Sequence, residues 1–105
     1  MGNGQSRMEE IMHSMPSDLR LVAETIRTCA TSEFSRRWPD SADDMAAVVC
    51  GRWLHTTPAE HINASDSARS RIDRLVNESF ATLDDEQIAA TERMFERLSR
   101  AWRDQ

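Results

Sequence analysis

Residues Met45-Ala46-Ala47-Val48-Val49-Cys50 form an unbroken apolar run with a helix start in front of it. Ser41 can cap the first turn, and Asp43 and Asp44 fall at its positive end. Wound as a helix, the run is apolar on nearly every side, which is the pattern of a central, buried helix. Gly51 costs that helix about 1 kcal/mol relative to alanine, yet Trp53 and Leu54 carry the pattern on to His55.

The rest of the chain reads as one-sided helices. Met8, Ile11, Met12 and Met15 recur at helical spacing and predict a short first helix, ended by Pro16. Ser17 and Asp18 open a second, whose stripe of Leu19, Val22, Ile26, Cys29, Ala30 and Phe34 runs toward Arg37. Trp38-Pro39 stops it, because proline disfavours helix for the residue before it. Thr57-Pro58-Ala59-Glu60 has the form of a capping box with proline at the first helical position, and so predicts a helix start. Ser65-Asp66-Ser67 either interrupts or re-caps that helix before Ala68, Ile72, Leu75, Val76 and Phe80 resume the stripe. The last helix begins within Thr82 to Glu86, and Ile88, Thr91, Phe95, Leu98 and Trp102 give it a narrow apolar seam. No strand-like alternation competes with these patterns. The expectation is an all-α fold, a small bundle of four to five helices, with homodimerisation along the last seam as one way of completing it. Residues 1–7 read as a flexible polar leader and 8–105 as a single helical domain.

Charge narrows the choice of partner. The chain of 105 residues carries a net charge of -5, close to evenly divided between its halves, and all thirteen of its cationic residues are arginine. Nucleic-acid binders draw most of their affinity from cations that neutralise phosphates, so nucleic acid is not favoured. A basic protein partner is the better electrostatic match. Cys29 and Cys50 fall in apolar helical patterns and read as buried thiols of a reducing compartment. The N-terminus has no signal-peptide pattern and no segment is long enough to span a membrane, so a cytoplasmic location is expected.

Residue types that perform catalysis do not converge by spacing. His13, His55 and His61 lie at or near predicted helix ends, with no nucleophile or orienting acid paired to them. A zinc site built from Cys29, Cys50, His55 and His61 lacks the close cysteine pair that structural zinc requires. Asp43-Asp44 and Asp84-Asp85-Glu86 stand at helix starts, where the macrodipole accounts for them. Arg93, Arg97 and Arg100 share one helix face, and Arg69, Arg71 and Arg74 cluster on the preceding helix. Glu92, Glu96, Asp73 and Glu78 are interleaved among them, the usual pattern of a solvated, ion-paired surface. Neither an enzyme nor a metal or cofactor site is expected.

Met1-Gly2-Asn3-Gly4-Gln5-Ser6 fits the N-myristoylation pattern. With Arg7 it resembles the myristoylated leader of retroviral matrix proteins and of some injected bacterial effectors. The resemblance covers seven residues and implies lipidation at Gly2 and a peripheral membrane role at the cytoplasmic face of a host membrane. Leu83 to Trp102 is similar to the C-terminal dimerisation helix of MarR-type regulators, which implies a DNA-binding regulator or its dimerisation segment. Elimination leaves a non-enzymatic protein-binding module, an inhibitor, antiactivator or adaptor. Its expected contact residues are Met8, Met12, Met15 and Trp38, and its expected dimer seam is Ile88, Phe95, Leu98 and Trp102.

Overall fold

The computed structural model describes residues 6–57 and 65–103, and every regular element in them is helical. Five helices follow in order: α1 (Arg7–His13), α2 (Ser17–Phe34), α3 (Ala42–Thr56), α4 (Asp66–Ala81) and α5 (Asp85–Arg103). The all-α expectation holds, with α3 at the centre: α1, α2, α4 and α5 all pack on it. Met45 through Gly51 are buried without exception, so the apolar run occupies the enclosed position its composition demands.

The flanking helices bury one stripe each. Ala23, Ile26, Ala30 and Phe34 point inward from α2, and Ile72, Leu75 and Ser79 from α4. Cys29 is exposed, contrary to its expected burial. It precedes Ala30 by one residue, roughly 100° around the helix, and Ala30 takes the inward position.

Local chemistry sets the helix ends. Ser6 caps α1, accepting from the Glu9 amide at 3.1 Å. Arg20 in α2 reaches back to donate to the Met12 and Met15 carbonyls, each at 3.0 Å, which closes the turn containing Pro16. Helix α2 stops at Phe34, three residues short of the expected end, and the chain turns through Arg37 and Trp38 onto the Phe34 carbonyl. Thr57 closes α3: its amide and hydroxyl both donate to the Trp53 carbonyl. Residues 58–64, which carry the rest of the expected capping box, lie outside the described residues. Helix α4 starts anew at Asp66, with Ser65 accepting from the Ala68 amide at 3.1 Å, so the re-capping alternative is the one adopted. Asp84 and Gln87 form a reciprocal capping box at α5, each side chain accepting from the other's amide at 2.9 Å.

Asp44 ties three helices together. Its carboxylate accepts from Arg7 at 3.2 Å, from the fully buried Ser79 hydroxyl at 3.1 Å and from Thr82 at 3.2 Å. Arg7 also meets Glu78 at 3.4 Å. Burial opposes the charge on Arg7, but these two carboxylates outweigh it and hold the guanidinium above its ordinary pKa. Glu9 pairs with Arg27 and Glu10 with Arg71, so α1 is fastened to its neighbours by ions as well as by Met8 and Ile11.

Gly51 acquires a packing reason absent from its helix propensity. A Cβ built there would stand 2.6 Å and 2.9 Å from the Val76 methyls and 3.3 Å from the Val76 Cβ. The missing side chain lets α4 cross α3 closely, and a β-branched neighbour has few rotamers with which to yield. Gly51→Ala is therefore expected to destabilise the fold by about 1–2 kcal/mol, read from the urea midpoint at unchanged slope, despite the better helix propensity of alanine. In a Val76→Ala background the same substitution should instead stabilise by up to about 1 kcal/mol. Stabilisation in the wild-type background would contradict the close crossing.

Candidate functional site

Helix α5 rests on α3 through Ala90, Thr91, Met94 and Phe95, all buried. Helices α2 and α5 each bear on α3 and scarcely on one another, which opens a cleft between the end of α2 and the outer side of α5. Its volume is about 550 Å³, and its lining includes Phe34, Trp38, Arg37, Arg93, Arg97 and Arg100. On the other side of α5 a second groove of about 650 Å³ runs past the end of α3, lined by Trp53, Thr56, Phe95, Trp102 and Arg103 among others. Glu96 and Arg100 stand on the ridge between the two and border both.

The three tryptophans of the chain all lie on this face, with two of its three phenylalanines. Each tryptophan is half-buried and packs against the core. Trp38 meets Phe34 edge-on, with centroids 6.4 Å apart and planes at 61°. The Arg37 guanidinium lies 4.6 Å from the Trp38 ring centre, and that of Arg52 lies 5.2 Å from Phe95.

The face differs in charge from the rest of the molecule. Five arginines (Arg37, Arg93, Arg97, Arg100, Arg103) stand against three glutamates (Glu33, Glu86, Glu96), a net +2. With a whole-chain charge of -5, everything else carries -7. Arg97 pairs with Glu33 at 2.6 Å and Arg37 with Glu86, both across the α2–α5 cleft. Arg93 and Arg100 enter no ion pair among the described residues. The total charge pointed to a basic partner; the local charge at the aromatic face has the opposite preference.

The contact residues expected from the sequence are divided by this geometry. Trp38 lies on the face. Met8, Met12 and Met15, also expected as contact residues, are 0%, 6% and 3% exposed and pack in the core. Their stripe covers α3 and α4, and a terminal helix only seven residues long has no second apolar side to offer. The seam of Ile88, Phe95, Leu98 and Trp102 is also turned largely inward: Phe95 is buried against α3, and Leu98 and Trp102 pack half-buried on the core. Ile88 is half-buried. Of the four, Phe95 and Trp102 line a groove, the one past the end of α3. Gly2, the expected lipidation position, lies outside the described residues.

Sequence reasoning passed over Arg37, Arg93, Arg97, Arg100 and Trp53 as one surface. A signal was present: Arg37-Trp38, Arg52-Trp53 and Trp102-Arg103 place an arginine beside every tryptophan. Several other polar groups have structural partners. Asp44 binds α1 and α4, Asp84 caps α5, and the exposed His55 faces Asp73 at 3.9 Å. Among the described residues no three metal-binding side chains converge, and no helix is long and apolar enough to cross a membrane. No family model, curated protein or solved structure matches the chain.

Burial pushes the Cys50 thiol up from an ordinary 9.0 to about 12, while Cys29 stands in solvent. In native protein at pH 8, a disulfide reagent is expected to label Cys29 promptly and Cys50 only as the chain unfolds; equal native rates would contradict the burial. The unfolded chain releases the Cys50 proton above pH 9.0 and the folded chain holds it to about 12. Stability linked to this group is therefore complete below pH 9.0 and falls as pH rises from there.

Proposed function

We propose that the chain is a non-enzymatic helical protein-binding module, an inhibitor, antiactivator or adaptor that occupies a surface of its partner, and that the face around α5 is the part it uses. The observation that carries this reading is the gathering of all three tryptophans with five arginines along the two grooves that flank α5 in an otherwise acidic molecule. Tryptophan and arginine are the types most enriched where interfaces concentrate their binding energy. Rings already held on one side by Phe34, Phe95 or the core lose little freedom when a partner covers the other, and preorganisation of this kind favours affinity. Grooves on both flanks of a helix also suit the insertion of a partner's side chains.

Capture from the native source, with mass spectrometry of what is retained, tests the reading. The wild-type chain is expected to retain a defined partner that the charge-reversed pair Arg93→Glu/Arg100→Glu loses. Arg69→Glu/Arg74→Glu, altered at two exposed positions on α4, serves as the control and should retain it. Retention by both variants, or by neither variant nor the wild type, would overturn the assignment of this face.

A further inference from the structure

We infer that the occupant of the α2–α5 cleft is an acidic segment of a partner protein, with two carboxylates that meet Arg93 and Arg100 and an apolar side chain that covers Trp38. The inference rests on the protein-binding reading and adds the chemistry of what is bound.

Charge complementarity selects the occupant. Of the four cleft arginines, Arg37 and Arg97 are already engaged by Glu86 and Glu33, so they brace the walls. Arg93 and Arg100 are exposed and meet no carboxylate among the described residues, although they border the same cavity as Phe34 and Trp38. They are seven residues apart on one helix, a rise of about 10 Å. Two acids seven residues apart on a docked helix, or three apart on an extended segment, span a similar distance. Between them a leucine or an aromatic residue would reach the exposed side of the Trp38 ring.

A long polyanion is the poorer fit. The molecule measures 42 × 36 × 21 Å and carries -7 outside this face, so a nucleic acid that overran the cleft would meet repulsion. Screening at physiological salt acts over about 8 Å, too short a range to hide that charge from a strand lying along the surface. A short acidic segment stays within the positive face.

The test is fluorescence anisotropy on the full chain at low salt with three labelled probes. One is a peptide of about 15 residues with acids in the seven-residue register and leucine and phenylalanine between them, a helix of about four turns. The second is the same peptide with lysine at each acidic position, and the third is a thymidine oligonucleotide of about 12 residues, near the site size of a single-strand binding groove. The acidic peptide is expected to bind with micromolar affinity. Arg93→Gln/Arg100→Gln should weaken it about tenfold or more, and salt raised to about 0.5 M should do likewise. Arg69→Gln/Arg74→Gln should leave it unchanged, with circular dichroism and urea midpoints preserved in both variants.

Equal binding of the lysine peptide, tighter binding of the oligonucleotide, or no binding of the acidic peptide would overturn the inference. So would a wild-type chain that sediments as a dimer and becomes a monomer in Arg93→Gln/Arg100→Gln, since a second copy would then be the occupant. Loss of the captured partner on charge reversal without acidic-peptide binding would refute the acidic occupant and leave the binding face standing. Peptide binding with capture unaffected would refute the face as the partner's site.

Discussion

Helix α3 cannot meet water on any side along Met45–Gly51, and the rest of the fold answers that constraint. A helix apolar all round needs neighbours around its whole circumference, and α1, α2, α4 and α5 each contribute one apolar stripe to it. Charge then fixes the arrangement at the rim, where Asp44 at the start of α3 holds Arg7 of α1 and Ser79 of α4 together. Gly51 sets how closely α4 can approach, through the space that Val76 fills.

The same constraint produces the face of tryptophans and arginines around α5. Because α2 and α5 are both satisfied by α3, neither requires the other, and the gap between them persists as a cleft instead of closing into core. Side chains at that gap are apolar where they lean on the core and charged, with arginine in excess over glutamate, where they leave it. Trp38 and Phe34 therefore come to lie beside Arg93, Arg97 and Arg100. An acidic chain thus carries a positive face, a contrast that whole-chain charge conceals and that favours a defined orientation on encounter with a partner.

Helices were legible because their signals are local. The break at Pro16, the fresh start at Ser65-Asp66 and the apolar run of α3 all describe what the backbone does over a few residues. What escaped depends on which side of a helix meets which neighbour. Cys29 and Ala30 belong to the same apolar stripe on paper, and only packing turned Ala30 inward. Met8, Met12 and Met15 have the composition of an adaptable surface, but a seven-residue helix with one stripe gives that stripe to the core. Arg93, Arg97 and Arg100 were readable as a row; Trp38 lies more than fifty residues earlier, and only the fold brings it beside them. The Asp84–Gln87 capping box was visible in principle, since its acid and amide stand three residues apart.

The central claim is that partners are met where the three indoles are exposed, and the most direct measurement is a nitrogen–proton correlation spectrum of the labelled chain as its captured partner is added. Each tryptophan reports through its own indole N–H. The account predicts that the indole signals of Trp38, Trp53 and Trp102 shift or broaden together with the Arg93 and Arg100 backbone amides, while Val49 and Cys50 in α3 stay in place. Silent indoles, with changes confined to the rim where Glu10, Asp44 and Glu78 surround Arg7, would contradict it.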